Sequence, residues 1–370
     1  MTLFIGLMSG TSMDAVDAAL VDLTGDNVNM LASAGLPIQP ALRGELLDLC
    51  HGAASTLERV ARLDVALGRL FATAVQTLLG RAGIDPSQVT AIGSHGQTVY
   101  HQPLGTSPTS VQLGDPNLIA ELTGITTVAD FRRRDIAAGG QGAPLVPAFH
   151  RAVFHTSETE RVVLNIGGIA NITVLPRASG QPVTGFDTGP GNALMDAWSM
   201  EHLGTPRDDD GFWAASGTIH EPLLAALLND PYFALPPPKS TGREYFHPDW
   251  LRKVLRHGGM EALQPQDIQA TLCELTAASI TQAIAAFAPD ARQVLVCGGG
   301  VHNPTLVQRL RSLSKDYEVV STAAYGIDPD WVEAIAFAWL AKQTLENKPG
   351  NLPSVTGARR AVALGGVYRA

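Results

Sequence analysis

Cysteine is scarce in this sequence of 370 residues. It has three cysteines, Cys50, Cys273 and Cys297, with no CxxC pair and no Cys/His spacing typical of metal ligands. This odd, widely spaced set excludes a disulfide framework and a cysteine-based zinc site. Each cysteine lies in an apolar stretch, so we expect buried free thiols, which fit a reducing cytoplasm.

Positive charge is also in short supply. Lysine and arginine number 26 against 35 aspartates and glutamates, a formal net charge of −9. This balance argues against nucleic acid or an anionic membrane as the main partner. The N-terminal residues lack the basic and long apolar regions of a signal peptide. No apolar run approaches the ~20 residues that span a bilayer. These absences favour a cytoplasmic protein.

Several catalytic and nucleotide-binding motifs are missing. The sequence contains no Gly-Lys pair, which excludes the lysine P-loop. In 6–10 the serine stands one place too late for a nucleophile elbow. The stretch 298–303 does not fit the dinucleotide fingerprint. It does follow a predicted strand and precede a predicted helix, so Gly298 and Gly299 suit a backbone surface for an adenosine or its α-phosphate.

Two predicted β-hairpins, one in each half, are the most informative feature that is present. The first runs from Leu3 to Val21 around a turn over 9–14, and the second spans 162–175 around a turn over 167–171. Turns of Gly, Ser, Thr and Asn offer bare N–H groups and hydroxyls, which suit phosphate oxygens. We therefore expect a phosphate chain held between two related domains. In the first turn, Asp14 is a candidate to order a metal-bound water or simply to cap the turn.

Asp187 is the candidate general base. It stands between Gly185 and Gly189, with Pro190 beyond them and a predicted helix after that. We expect a rigid turn that fixes the carboxylate for proton transfer. The alternative is a carboxylate that only stabilises the N-terminus of the helix.

Basic and polar residues after two other predicted strands are candidates to bind a substrate. The run 130–135 contains three consecutive arginines, which can fork onto carboxylates, hydroxyls or phosphates. Since three neighbours cannot all face one site, at least one is expected to be solvated. His95 follows the predicted strand 89–94, and contact with a ligand and simple packing in a turn are equally supported.

The length and the pattern of elements indicate two domains. A chain of 370 residues exceeds what one core usually holds. Hairpins and β–α units in both halves predict an α/β fold with a mixed sheet in each domain. Glycine is densest between 129 and 144, so the predicted domains are 1–133, with about 356–370 added, and 134–355.

Taken together, these motifs resemble the anhydro-N-acetylmuramic acid kinases. The resemblance runs in order over essentially the whole chain, and one departure is Ala15, where that family usually has a glycine. The stretches that carry it are 6–14, 93–98, 130–132, 139–147, 165–168 and 186–192.

The resemblance implies an actin/hexokinase/Hsp70-like (ribonuclease H-like) fold, with duplicated mixed sheets flanked by helices around a central cleft. It also implies a homodimeric cytoplasmic enzyme of peptidoglycan recycling that uses ATP and Mg²⁺. The implied reaction takes 1,6-anhydro-N-acetylmuramic acid, ATP and water to N-acetylmuramic acid 6-phosphate and ADP. In our hypothesis, Asp187 activates the water that opens the anhydro ring.

The predicted site residues fall into three groups beside Asp187. Those for the nucleotide are Gly10, Thr11, Ser12, Met13, Asp14, Ala15, Val16, Asp17, Gly167, Gly168, Asn171, Gly298 and Gly299. Those for the sugar are Arg134, Arg132, His95, Gln97, Gly189 and Asn192. The metal candidate is Asp14.

Two other functions stay open at this point. One is a sugar or polyol kinase of the same fold that acts on a free hydroxyl without ring hydrolysis. The other is a non-catalytic, nucleotide-gated ATPase module, which usually carries a separate peptide-binding domain. The two halves use nearly the whole chain and leave no room for such a domain.

Overall fold

The structure is a computed structural model that describes residues 1–10, 13–50, 52–178 and 180–370. The chain forms two compact units, one of Met1–Val153 with Trp331–Ala370 and one of Phe154–Asp330.

Thirteen strands are found in the described residues. They are β1 (Leu3–Met8), β2 (Ala15–Asp22), β3 (Asn29–Pro37), β4 (Val89–Ser94), β5 (Gln97–Gln102), β6 (Thr109–Leu113), β7 (Thr127–Ala129), β8 (Arg161–Ile166), β9 (Ile169–Leu175), β10 (Thr184–Pro190), β11 (Gln293–Cys297), β12 (Glu318–Ser321) and β13 (Gly366–Tyr368).

Fourteen α-helices lie between them in the same part of the chain. They are α1 (Pro40–Cys50), α2 (Leu57–Ala82), α3 (Pro116–Thr123), α4 (Phe131–Ala137), α5 (Val146–Phe154), α6 (Ala193–Leu203), α7 (Phe212–Ser216), α8 (Glu221–Leu228), α9 (Pro231–Ala234), α10 (Pro248–Gly258), α11 (Pro265–Phe287), α12 (Pro304–Leu313), α13 (Val332–Leu345) and α14 (Pro353–Thr356).

The two units repeat one sheet topology. The first sheet has the order β13-β7-β4-β1-β2-β3, and the second has the order β10-β9-β8-β11-β12. In both, the first three strands in sequence pair antiparallel, while the first strand pairs parallel with the fourth and the fourth with the fifth. The predicted α/β fold with duplicated mixed sheets is confirmed. Strands β5 and β6 form a separate small hairpin.

Two glycines let α13 pack directly on the first sheet. A Cβ added to Gly6 in β1 would overlap the carbonyl oxygen of Ala334, and one added to Gly93 in β4 would overlap that of Phe337. This close approach makes α13 part of the first unit.

The domain boundaries therefore differ from the sequence-based ones. The predicted limits at 133/134 and 355/356 both fall inside the first unit, whose own limits are 153/154 and 330/331. The chain order placed α13 in the second half, but its packing on β1 and β4 places it in the first unit.

Two further expectations from the sequence need correction, one on the burial of the cysteines and one on long apolar segments. Cys273 and Cys297 are buried, but Cys50, the last residue of α1, is exposed. Among the described residues, two helices, α2 and α11, are long and apolar enough by length and composition to cross a membrane. Most of the α11 stretch is buried inside the second unit, as in the core helix of a folded domain.

Candidate functional site

In the first unit, the predicted site residues follow three parallel strands. Strands β1, β4 and β7 are parallel, so their carboxyl ends meet at one edge of the sheet. Ligands bind α/β sheets at the carboxyl edge of the strands. The first turn follows β1, His95 follows β4, and Arg132 follows β7.

The first turn has an unusual backbone. Met13 is buried and has φ of 53°, a left-handed conformation that is rare outside glycine and often found at functional sites. Its N–H donates to the carbonyl of Gly10 at 3.2 Å. A Cβ on Gly10 would meet no described atom within 4 Å, so packing does not demand this glycine. Thr11 and Ser12 lie outside the described residues.

Of the rest of this predicted segment, Asp14 precedes β2 and residues 15–17 belong to it. The side chain of Val16 is fully buried in the core, so Val16 can offer a ligand only its backbone. Asp14 is exposed, and its carboxylate lies 3.1 Å from the Arg43 guanidinium. Among the described residues, no three His, Cys, Asp or Glu side chains form a group that could hold a metal ion.

His95 and Arg132 bind each other. Nε of Arg132 donates to Nε2 of His95 at 3.0 Å, and Nη2 of Arg132 lies 2.9 Å from the same ring nitrogen. Nη1 of Arg132 donates to the Gly142 carbonyl at 2.9 Å. Nδ1 of His95 lies 2.8 Å from the Gly96 carbonyl. This arrangement requires a neutral ring that donates from Nδ1 and accepts at Nε2. Burial, and then the charge of Arg132, lower the pKa of His95 well below its usual value.

Arg132 stays charged in this environment. Burial lowers its pKa to about 10, while the nearby carboxylates of Glu333 and Asp135 raise it. Glu333 is a residue that sequence reasoning missed. Burial raises its pKa, Arg132 lowers it, and Asp17 raises it further. Because Glu333 stands 201 residues after Arg132 in sequence, no local pattern could join them.

The other predicted sugar residues of this unit differ in exposure. Gln97 is buried, and its Oε1 accepts from the hydroxyl of Ser9 at 2.6 Å, which ties it to the first turn. Arg133 and Arg134 are both exposed, and Arg133 pairs with Asp130 at 2.6 Å. The structure therefore brings Arg132 and His95 together and leaves two arginines solvated.

In the second unit, the glycine-rich stretches meet at one edge of the sheet. Strands β8 and β11 are parallel, and β10 runs the same way through two antiparallel pairings. The turn 167–168 follows β8 and the stretch 298–299 follows β11, while the segment 189–192 contains the last two residues of β10 and the two after it. A short 3₁₀ helix, Gly299–His302, continues from the last of them.

The turn Gly167-Gly168 keeps its N–H groups free within the described residues. Its carbonyls accept hydrogen bonds from residues that lead into α6: Asn192 N donates to Gly167 at 2.8 Å, and Gly191 N donates to Gly168 at 2.9 Å. No hydrogen bond from the N–H of Gly167 or Gly168 is found in the described chain. Unpaired N–H groups in a turn suit an anion.

Contacts within the protein explain why two other positions at this edge of the sheet are glycine. Gly189 has φ of 150°, and a Cβ there would lie 2.7 Å from the ring of Phe233. Gly298 has φ of 78°, and a Cβ there would overlap the side-chain oxygen of Asn165. Asn171 lies within the sheet in register with Asp187.

Asp187 lies in a strand, which corrects the predicted turn. It belongs to β10, where the pairing with β9 shifts between Asp187 and Gly189. The fold tolerates Pro190 because it ends an edge strand, where proline costs no ladder hydrogen bond.

Two donors hold one oxygen of the Asp187 carboxylate. Oδ2 accepts from the Ser240 hydroxyl and from the Thr241 N–H, both at 2.9 Å. No hydrogen bond to Oδ1 is found among the described residues. Burial raises the pKa of Asp187, against the lowering effect of these two donors. The carboxylate is therefore fixed in direction, keeps one oxygen available and has a raised affinity for a proton.

Comparison with known proteins identifies the family of the chain. The family model for anhydro-N-acetylmuramic acid kinase matches residues 2–370. Curated relatives of that name include one from Coxiella burnetii, 54% identical over 99% of this chain and 97% of its own length. Another from Vibrio cholerae is 52% identical over 99% of this chain and 98% of its own length.

Solved structures with a similar fold are more distant in sequence. Component A of (R)-2-hydroxyglutaryl-CoA dehydratase from Acidaminococcus fermentans has a TM-score of 0.48 and 10% identity, covering 91% of this chain and 96% of its own. An ROK family glucokinase from Streptomyces griseus has a TM-score of 0.42 and 14% identity, with 92% and 99% covered.

The assignment follows from the family model and the curated relatives, both of which span nearly the whole chain. The chain belongs to the anhydro-N-acetylmuramic acid kinase family and is an ATP-dependent phosphotransferase with an alcohol group as acceptor.

Proposed function

We propose that this enzyme hydrolyses the 1,6-anhydro ring of 1,6-anhydro-N-acetylmuramic acid and phosphorylates O6, giving N-acetylmuramic acid 6-phosphate and ADP. The names of the curated relatives support the substrate. The observation that carries the chemistry is the carboxylate of Asp187, with Oδ2 bound by two donors and a raised pKa.

Asp187 acts as the general base. Oδ1 takes a proton from a water that attacks the anomeric carbon of the sugar. The bond between that carbon and O6 breaks, and O6 keeps the electron pair and attacks the γ-phosphorus of ATP. ADP leaves, and Asp187 releases its proton to solvent. A base with a raised pKa is better matched to this transfer near neutral pH than an ordinary carboxylate.

Backbone N–H groups bind the phosphates. In the second unit, the unpaired N–H groups of Gly167 and Gly168 suit phosphate oxygens. In the first unit, the segment Gly10–Asp17 is our second candidate, and the left-handed Met13 shapes its backbone. Such fixed donors stabilise the charge that develops during phosphoryl transfer.

Mg²⁺ fits this scheme as a companion of ATP. It is bound by one or two carboxylates together with phosphates and water, and needs no cage of protein ligands. Asp14 is our candidate carboxylate, and it would have to leave Arg43. The ion supplies neutralisation of phosphate charge.

The lactyl carboxylate of the sugar needs a cationic partner. Arg132 is our candidate, since it stays charged and His95 and the Gly142 carbonyl fix its guanidinium. His95 therefore positions Arg132. Arg134, Gln97, Gly189 and Asn192 are the other proposed sugar contacts.

We also propose that the enzyme is a cytoplasmic homodimer in peptidoglycan recycling. Multi-angle light scattering of the purified chain tests the dimer, and a single species of monomer mass at micromolar concentration would contradict it.

An isotope experiment tests the reaction. The enzyme is incubated with the anhydro sugar and ATP in ¹⁸O-labelled water, and product from the first seconds is analysed by mass spectrometry. We expect one labelled oxygen at the anomeric position and none in the phosphate ester. A product that retains the anhydro ring, or incorporates no label, would contradict ring hydrolysis and favour a kinase that acts on a free hydroxyl.

A further inference from the structure

A strap of six residues, Lys239–Glu244, lies beside β10 in the second unit. Asp187 N donates to the Lys239 carbonyl at 3.2 Å. The Lys239 ammonium donates to the carbonyls of Tyr232 and Phe233 at 3.3 and 3.4 Å. Beyond the other end, the ring of Phe246 is fully buried. The strap is therefore anchored on both sides.

Arg243 is the fifth residue of this strap and covers Gly168. A Cβ added to Gly168 would lie 2.9 Å from Nη2 and 3.1 Å from Nε of Arg243. The φ of Gly168 is outside the left-handed range, so the backbone does not demand glycine there. The missing side chain instead makes room for the guanidinium, which is exposed and forms no ion pair in the described part of the chain.

The strap also contains an unpaired polar atom. The hydroxyl oxygen of Thr241 is buried and has no hydrogen-bond partner among the described residues. Buried polar atoms are nearly always paired, so an orphan next to a carboxylate indicates a ligand or water that completes it. The N–H of the same residue holds the Asp187 carboxylate.

We propose that Arg243 binds a phosphate of ATP at the Gly167-Gly168 turn, an assignment that rests on the proposed function. The turn supplies unpaired N–H groups, and the guanidinium beside it supplies a planar fork that matches phosphate oxygens. One strap thereby joins the phosphate to the base, since Ser240 and Thr241 hold Asp187.

The test is equilibrium binding without the sugar. Titration calorimetry measures the affinity of wild-type enzyme and of R243A for the non-hydrolysable analogue AMPPNP and for AMP. A hydrogen-bonded charge of this kind is worth about ten- to hundredfold in affinity. We expect R243A to lose at least about tenfold for AMPPNP and less than about twofold for AMP. R243K should recover part of the loss, because it keeps the charge but not the fork.

The matched control is R256A, which removes an exposed arginine of α10 in the same unit. It should bind both nucleotides as the wild type does. Unchanged AMPPNP affinity in R243A, or an equal loss for AMP, would overturn the assignment while the enzyme remains a kinase. If the wild-type enzyme bound no AMPPNP at all, the proposed function itself would fail.

Discussion

Removal of one hydroxyl beside the base should change the pH dependence of the reaction. In S240A, the Asp187 carboxylate loses the donor that lies 2.9 Å from Oδ2. It keeps the Thr241 N–H on the same oxygen at 2.9 Å, so its direction should be retained. Ser240 is exposed, which makes a folding defect an implausible source of the effect.

The sign of the change follows from what the hydroxyl donates to. A hydrogen bond to a carboxylate favours the charged form, and both donors lower the pKa of Asp187 against the effect of burial. Loss of the hydroxyl therefore raises that pKa. Because the base must be ionised to accept a proton, the acid limb of the kcat/KM profile should move to higher pH.

The size of the change follows from the worth of one hydrogen bond. A net contribution of about 0.5–1.5 kcal/mol corresponds to a two- to tenfold change in proton affinity. The proton concentration at half-maximal kcat/KM should fall by about that factor. The plateau at higher pH should change little, since the ionised base stays in place.

The assay is a coupled ADP-release measurement over pH 4 to 9, with wild type, S240A and S240T compared. S240T retains a hydroxyl and should keep the wild-type limb. S312A removes an exposed helix hydroxyl that bonds only within α12, and serves as the matched control. An acid limb in S240A at the wild-type pH would refute the assignment of Asp187 as the titrating base.

Five further substitutions, two of them controls, have definite expected outcomes. D187N should lower kcat by about 10²- to 10⁴-fold, and its affinity for ADP in calorimetry should be unchanged. Near-normal turnover would contradict the role of Asp187 as the base. G93A should lower the free energy of unfolding by about 1–3 kcal/mol or more in urea titrations, because its Cβ would overlap a backbone carbonyl of α13. G80A meets nothing within 4 Å in α2 and should gain about 0.4–1 kcal/mol; equal effects of the two would contradict the packing argument. R132A should raise the KM for the sugar about ten- to hundredfold while AMPPNP binding is kept, whereas R133A, on the surface, should not; parallel effects would contradict the proposed sugar contact.

Local patterns predicted the hairpins well. Strands β1 and β2 and strands β8 and β9 were found where alternating apolar residues flank a glycine turn, because such patterns depend only on neighbouring residues. The long helix over 57–79 was also confirmed, and the structure extends it to Ala82.

The turn predicted around Asp187 was wrong for a physical reason. Glycine and proline usually interrupt strands, and Gly185, Gly189 and Pro190 surround this residue. In the described part of the fold, β10 is an edge strand and β9 is its one strand neighbour, so these residues disturb little of the sheet. Whether a strand lies at the edge depends on the whole sheet, and a short stretch of sequence does not contain that information.

The chemical state of Asp187 depends on contacts of the same long-range kind. Its two donors stand 53 and 54 residues later, beyond a proline-rich stretch that marked only a loop in the sequence. Sequence reasoning could propose the base, but not the strap that directs it or the arginine that the strap carries. These partners are set by the tertiary fold, and the sequence motif contains none of them.

The second glycine turn illustrates what decides between a phosphate site and an ordinary turn. Its carbonyls are used by Gly191 and Asn192 on the way into α6, while its N–H groups have no partner in the described chain. A turn whose N–H groups were also paired would have the same sequence and could not bind an anion. The composition of Gly167-Gly168 is thus only a permissive condition, and the hydrogen-bond pattern around it is the physical basis for assigning it to phosphate.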